Sequence, residues 1–345
     1  MLATKSELDS VQWKLDMDPG KLAFQRLERT LYKQYVDLTM VEESLAHQKS
    51  RVQWFTQGER NTKFFHLSTL DKRRKVKIEV LKNNEGVWVD NPTALKRLVN
   101  TLFQNLFACT PTICFDHWND LTKHISLEDK AEMCRVASGI EIWRAIKNIN
   151  AFKAPGPDGY QAIFYHTFWD MVGISVINFV QDRFAHHSIP AVINRTHIAL
   201  IPKVTNPENV TQFRPISLCN VTYKIISKIL VNRLRPLLDS LISPNQSSFI
   251  PGRSTHDNII ITQEAIHTLR KKKGKVGYMI FKVDLEKAYD NISWNFLEQT
   301  LNEFQLDGKL VELIMSCASS VSTAIIWNGQ PLEEFQPAKG LWQGD

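Results

Sequence analysis

Residues 278–290 read YMIFKVDLEKAYD. The first six are largely apolar, and a short apolar run of this length predicts a buried strand. Asp284 follows directly, so the pattern places a carboxylate at the carboxyl end of a strand, on the rim of a sheet. Mg²⁺ prefers oxygen ligands and is often held by one or two carboxylates together with substrate phosphates. Asp284 is therefore a candidate metal ligand, although an aspartate that caps the following helix fits this segment equally well.

Helical and strand patterns alternate upstream of this segment. The first fifty residues have helical periodicity, and the turn residues 83–86 between short apolar runs predict a hairpin. Helix starts follow at Asn91-Pro92 and at the capping box Ser138-Gly139-Ile140-Glu141. Residues 196–201 predict a short strand.

Downstream, the sequence predicts helices over 293–304 and 308–318 and a strand over 322–327. Asn328-Gly329 is a type I′ turn signal and returns the chain after that strand. Helices interleaved with hairpins and few βαβ units predict an α+β fold.

Composition excludes several classes of protein. The 345 residues are 43% hydrophobic and 23% charged, which is typical of globular domains rather than disordered or fibrous chains. A net charge of +6 allows a polyanionic partner. The five cysteines form no C-x-x-C pair, so a disulfide framework or a structural zinc site is not expected. With no secretory signal and no membrane-length apolar run, we expect an intracellular protein, nuclear or cytoplasmic.

Two stretches mix cations with aromatic residues. Residues 54–66 contain Trp54 and Phe64 among polar and basic residues, and the run Lys72-Arg73-Arg74-Lys75 follows. A second basic run occupies 270–275. Aromatic rings stack on bases while Lys and Arg neutralise phosphates, so these stretches suit nucleic acid. A solvated helix end beside a buried aromatic cluster explains residues 54–77 equally well.

Five sequence blocks occur in a fixed order. They are KAPGPDG at 153–159, LIPK at 200–203 with FRPISL at 213–218, QSSFIPGR at 246–253 with Asp257-Asn258, the Asp284 block, and KGLWQGD at 339–345. In order and spacing this set resembles the reverse transcriptases of non-LTR (LINE-type) retrotransposons, most closely those of plant genomes. The resemblance runs from about Trp54 to the last residue.

The resemblance implies an architecture. The fold would be the right-hand polymerase fold, with fingers and a partial palm. Residues 1–75 would be a helical N-terminal extension, 76–195 a fingers-side region, and 196–345 the reverse transcriptase domain. The activity implied is addition of dNTPs to a DNA primer 3′-OH on an RNA template, with Mg²⁺ as cofactor. It says nothing of the oligomeric state.

The resemblance also assigns roles to individual residues. Asp284 would be a catalytic metal ligand together with the Leu285 carbonyl, and Tyr289 would lie against the incoming sugar and exclude ribonucleotides. Lys203 and Arg214 would bind the triphosphate, and a guanidinium does offer phosphate oxygens a planar fork. Gln343 and Gly344 would line the nucleotide and template pocket. Asp290 is expected to form hydrogen bonds within the palm, Asp158 to belong to the fingers, and Asp257-Asn258 to cap a helix.

The sequence departs from the family pattern in two respects. Trp342 stands where the family usually has arginine, and the later aromatic-x-Asp-Asp turn and the thumb do not follow Asp345. Two-metal phosphoryl transfer needs carboxylates on both sides of the ion pair. We therefore expect a truncated relic without polymerase activity as this chain. The alternatives are a non-catalytic RNA- or DNA-binding protein and a poorly folded pseudogene product.

Overall fold

The computed structural model describes residues 2–50, 77–109, 125–273, 277–285 and 287–341. The chain divides into two compact units, Met1–Lys77 and Ile78–Asp345. The predicted boundary between residues 195 and 196 lies inside the second unit and stays a prediction.

The first unit is a helical hairpin. Helix α1 (Leu2–Met17) and helix α2 (Leu22–Ser50) are joined by a short turn. Leu8, Val11 and Leu31 are buried between them. The helix predicted from the periodicity of the first fifty residues is confirmed as two helices.

The second unit is built on a four-stranded sheet. Its strands are β3 (Arg195–Pro202), β4 (Phe213–Cys219), β5 (Ser322–Trp327) and β6 (Gln330–Pro331), in the order β4-β3-β5-β6. Strand β3 pairs antiparallel with β4 and parallel with β5. The turn at Asn328-Gly329 has positive φ at both residues, as the type I′ prediction requires.

A small hairpin and a helix belong to one core cluster with this sheet. Strands β1 (Leu81–Lys82) and β2 (Trp88–Val89) form the predicted hairpin. Helix α3 (Pro92–Leu106) begins after Asn91, whose side chain accepts hydrogen bonds from the N–H groups of Thr93 and Ala94. Residues of α3 and of the sheet share one core: Leu95, Val99, Phe103, Ile198, Leu200, Phe213 and Ile325.

Most of the remaining helices contribute to a larger apolar core. The remaining helices are α4 (Leu127–Cys134), α5 (Gly139–Lys147), α6 (Ala162–Thr167), α7 (Trp169–His186), α8 (Val221–Leu234), α9 (Leu238–Leu241), α10 (Thr255–Lys271), α11 (Trp294–Glu303) and α12 (Gly308–Ser319). Helix α10 has no buried residue and lies outside this core. Ile142, Ile146, Ile225, Ile226 and Leu313 lie fully buried in this core. Helix and sheet together confirm the α+β prediction.

The strand predicted at 278–283 is wrong. The structure has no strand there, and Met279, Phe281 and Val283 are each more than three-quarters exposed. An apolar run indicates a preference for burial, but a strand also needs a neighbour to complete its hydrogen bonds. Neither described sheet includes these residues.

Among the described residues, no helix is both long enough and apolar enough to cross a bilayer.

Candidate functional site

A cavity of about 180 Å³ lies between α3, the β3–β4 pair and the turn at 287–290. Four charged side chains line it: Lys203, Arg214, Lys287 and Asp290. Its apolar walls come from Leu102, Phe103, Leu106, Val210, Phe213 and Pro215. Three cations and one carboxylate around an apolar pocket suit a ligand that carries negative charge.

The β3–β4 register brings Lys203 and Arg214 together. Pro202 pairs with Phe213 and Ile201 with Arg214, so both cations stand at the same end of the strand pair. The Lys203 N–H donates to the Gln212 carbonyl at 2.8 Å, and its Nζ donates to the Thr211 carbonyl at 3.1 Å. Both side chains stay exposed to solvent. Two residues eleven positions apart in sequence thus line one cavity.

Asp290 is the buried carboxylate of the cavity, with 4% of its surface exposed. Burial raises the pKa of Asp290, and the positive charges of Lys287 and Lys203 lower it in part. The sequence predicted hydrogen bonding for Asp290. The structure places its carboxylate in the same cavity as Lys203 and Lys287, and the hydrogen bonding stays a prediction.

The turn that carries Asp290 is joined to residues 339–341. Gly340 N–H donates to the Ile292 carbonyl, and Leu341 N–H donates to the Tyr289 carbonyl, both at 2.8 Å. Trp294 Nε1–H donates to the Gly340 carbonyl at 2.9 Å. Gly340 has φ +94, and a Cβ there would lie 2.9 Å from the Asp290 carbonyl oxygen. The close approach requires glycine, so the turn is held by backbone contacts that a side chain would disturb.

Asp284 and Leu285 lie outside this cavity. Leu285 is 73% exposed and Asp284 is exposed as well. Asp284 does not cap a helix, because the next helix begins at Trp294 with Ser293 as its N-cap. Among the described residues there is no group of three His, Cys, Asp or Glu side chains that could hold a metal ion. Asp284 and the Leu285 carbonyl supply oxygen donors of the kind Mg²⁺ prefers, but only two of them.

Tyr289 is partly exposed, and its ring meets that of Phe249 edge to face at a centroid distance of 6.3 Å. Gln343 and Gly344 lie outside the described residues, as do Trp54, Phe64 and the basic run at 72–75. The cap prediction for Asp257-Asn258 is wrong, because Ser254 is the N-cap of α10. Asn258 Nδ2 donates to the Asn245 carbonyl and to Ser247 Oγ, both at 3.0 Å.

The loop at 153–159 is attached to the junction of β4 and α8. Asp158 N–H donates to Asn220 Oδ1 at 3.1 Å, and Asp158 Oδ1 accepts from the Tyr160 N–H at 3.0 Å. Burial raises the pKa of Asp158, and the bond from Tyr160 and the charge of Lys224 oppose that shift. Sequence reasoning did not find Asn220, because a lone asparagine after a strand carries no distinguishing pattern.

The sequence was found to be similar to a known protein family. The profile described as reverse transcriptase (RNA-dependent DNA polymerase) matches residues 201–345. Residues 201–345 match a reverse transcriptase domain. The matched residues include Lys203, Arg214, Lys287 and Asp290, the four charged residues of the cavity.

The similarity to individual retrotransposon proteins extends beyond residues 201–345. The transposon TX1 uncharacterized 149 kDa protein of Xenopus laevis is 26% identical over 299 residues, 86% of this chain and 23% of that protein. The Pol polyprotein from the type-2 retrotransposable element R2DM of Drosophila melanogaster is 23% identical over 260 residues, 73% of this chain and 24% of that protein. Such elements are non-LTR retrotransposons, as predicted. The chain spans about a quarter of the length of these relatives.

Proposed function

We propose that the cavity around Lys203 and Arg214 binds the triphosphate of an incoming dNTP in an RNA-directed DNA polymerase. The observation that carries this proposal is the convergence of the two cations in a cavity that also has apolar walls. A guanidinium binds phosphate oxygens through parallel hydrogen bonds, and an ammonium adds a mobile point charge. The proposal extends to the whole protein's activity, in which dNTPs are added to a DNA primer on an RNA template.

The other site residues complete the proposal. Reverse transcriptases generally use divalent metal ions, and Asp284 with the Leu285 carbonyl would hold Mg²⁺, whose charge neutralises phosphate oxygens when it is bound. The remaining ligands would come from the triphosphate and from water. Tyr289 would lie against the sugar, and Gln343 and Gly344 would line the nucleotide and template pocket. The finer assignments, namely fingers, a partial palm and a plant element as the source, belong to the same proposal.

Nucleic acid would be bound partly through the basic end of α10. Arg270 and Lys271 lie in its last turn, and the Lys272 ammonium stands 4.2 Å from the centre of the Tyr278 ring. A cation beside an exposed ring suits a strand whose phosphates and bases alternate. Binding of an RNA–DNA duplex should then weaken with salt by about 0.7–0.9 log units per log unit of salt for each phosphate neutralised.

Triphosphate binding tests the proposal directly. Calorimetric titration of the 345-residue chain with dTTP and Mg²⁺ should show a single binding site. Lys203→Gln and Arg214→Gln should each lower the affinity for dTTP about tenfold or more, because hydrogen bonds to charged groups contribute about 1.5–3 kcal/mol. Arg144→Gln is the matched control, because Arg144 is an exposed arginine of α5 that does not line the cavity. Equal affinity in Arg214→Gln and Arg144→Gln would contradict the proposal.

A further inference from the structure

Two charged residues of the cavity, Lys287 and Asp290, have no part in the proposed function. They lie three positions apart on one turn, and both line the cavity that holds Lys203 and Arg214. The Asn291 N–H donates to the Lys287 carbonyl at 3.1 Å, which closes this turn. Their side chains therefore reach the same small space from a single rigid backbone segment.

The backbone of Lys287 is unusual. Its φ is +52, in the left-handed region that residues with a Cβ rarely adopt. Such a conformation costs free energy and persists only where the surrounding structure enforces it, and such residues cluster at functional sites. The hydrogen bonds between residues 289–292 and 339–341 restrain the chain that begins two residues after Lys287. A lysine held in this conformation at a cavity wall is a candidate ligand-binding residue.

Asp290 lines the cavity together with two lysines, Lys203 and Lys287. Its carboxylate is buried at 4% exposure, which raises its pKa, and the positive charges of both lysines lower that pKa in part. The Thr211 carbonyl holds the Lys203 ammonium at 3.1 Å, and the Asp290 carboxylate lines the same cavity. An ammonium group has three donors, so a lysine held in this way keeps donors for a ligand. A long flexible side chain otherwise loses conformational entropy when it binds, and prior positioning reduces that loss.

We propose that Lys287 is a third phosphate-binding cation of this cavity and that Asp290 is a positioning residue, which holds the ammonium groups of Lys203 and Lys287 where a triphosphate binds. The inference rests on the proposed function, since it takes the triphosphate as the ligand. The inference predicts whether Asp290 raises or lowers the affinity for phosphate. A carboxylate that only repelled phosphate would weaken binding, whereas a carboxylate that positions two ammonium groups strengthens it.

Dissociation constants for dTTP and for inorganic tripolyphosphate, measured by calorimetry on the full chain, test both parts. Lys287→Gln should weaken both ligands about tenfold, a loss comparable with that in Lys203→Gln. Lys309→Gln is the matched control, because Lys309 is an exposed lysine of α12 that does not line the cavity. Asp290→Asn keeps the shape of the side chain and should also weaken both ligands. Tighter binding in Asp290→Asn would overturn the positioning role.

Coupling separates positioning from a general structural role. Because Asp290 acts through the lysines, Asp290→Asn should lose most of its effect on affinity in the Lys203→Gln/Lys287→Gln background. An undiminished effect in that background would contradict the inference. Acetylation of lysines in the wild-type chain provides a readout that needs no variant. Tripolyphosphate should protect Lys287 and Lys203 from acetylation and leave Lys309 reactive, and unprotected Lys287 would exclude it as a phosphate ligand.

The two proposals can fail separately. If Arg214→Gln weakens dTTP binding while Lys287→Gln and Asp290→Asn leave it unchanged, the proposed function stands and this inference falls. If the wild-type chain binds neither dTTP nor tripolyphosphate, the proposed function itself falls, and the inference falls with it.

Discussion

Asn220 Oδ1 accepts a hydrogen bond from the backbone N–H of Asp158 at 3.1 Å, across 62 residues of sequence. The same amide donates through Nδ2 to the Ile193 carbonyl at 2.9 Å. Asn220 is buried and is also the N-cap residue of α8. One side chain therefore joins the loop at 153–159, the segment before β3 and the start of a core helix.

This junction leaves no room for a side chain at Gly156. A Cβ there would lie 2.4 Å from Asn220 Oδ1, 2.5 Å from Asn220 N and 2.6 Å from Cys219 C. Two of these atoms are backbone and cannot move aside, so Gly156→Ala should destabilise the fold by about 1–3 kcal/mol. Urea unfolding measures the change. Gly308→Ala, at a position with nothing within 4 Å, is the control and should be neutral or slightly stabilising.

Arg233 and Glu141 form a buried ion pair. Arg233 Nε and Nη2 donate to the two Glu141 oxygens, both at 2.8 Å, and the Arg233 side chain is only 6% exposed. The guanidinium also lies 5.0 Å from the centre of the Phe184 ring. Arg233→Met should cost about 1.5–3 kcal/mol, because it removes both charge-assisted hydrogen bonds and leaves the partly buried Glu141 carboxylate with the weaker contact to the Arg135 Nη2 group at 3.4 Å. Denaturant unfolding should show this loss, while Arg144→Met changes stability by less than about 0.5 kcal/mol.

The ion pair between Arg233 and Glu141 makes the stability of the fold depend on pH. Burial raises the pKa of Glu141, but the hydrogen bonds and charge of Arg233, with smaller contributions from Arg135 and Ser138, outweigh burial, and the pKa lies below its ordinary value of 4.5. A carboxyl whose folded pKa is lowered contributes stability above its unfolded pKa and loses that contribution as the pH falls through the folded value. Wild type should therefore lose more stability than Arg233→Met on acidification below about pH 5. Parallel losses in the two proteins would contradict this account.

Asp290 should have the opposite pH dependence. Its folded pKa is raised by burial, so its contribution to stability is complete below its unfolded pKa and is lost as the pH rises through the folded value. Asp290→Asn should then have a higher Tm than wild type at pH 7, with the difference shrinking as the pH falls toward 3.8. Thermal melts at several pH values measure this. A lower Tm in Asp290→Asn at pH 7 would show that the attraction of the lysine charges outweighs the cost of burial.

Gly340 tests the join between the cavity turn and residues 339–341. Gly340→Ala combines a positive φ with a Cβ 2.9 Å from the Asp290 carbonyl oxygen and 3.1 Å from Phe107 Cε1. Gly329 has a similar φ of +88 but nothing within 4 Å, so Gly329→Ala isolates the backbone cost. We expect Gly340→Ala to lose about 1–3 kcal/mol more than Gly329→Ala in urea unfolding. Equal losses would mean that the close approach contributes nothing.

Local structure could be predicted from the sequence because its causes lie within a few residues. Asn91 and Ser138 cap helices as their patterns indicate, and Asn328-Gly329 forms the expected turn. Side-chain oxygens near an N–H two or three residues ahead, and residues that tolerate positive φ, determine these features whatever the rest of the chain does. The family also followed from the sequence, since the order of its blocks does not depend on folding.

The tertiary structure alone decided which side chains meet. Lys203, Arg214, Lys287 and Asp290 share a cavity, although up to 87 residues separate them in the printed sequence. Residues 278–283 are exposed although their composition favours burial. Burial, strand pairing and the convergence of charges depend on which distant segments pack together, and no local pattern specifies that.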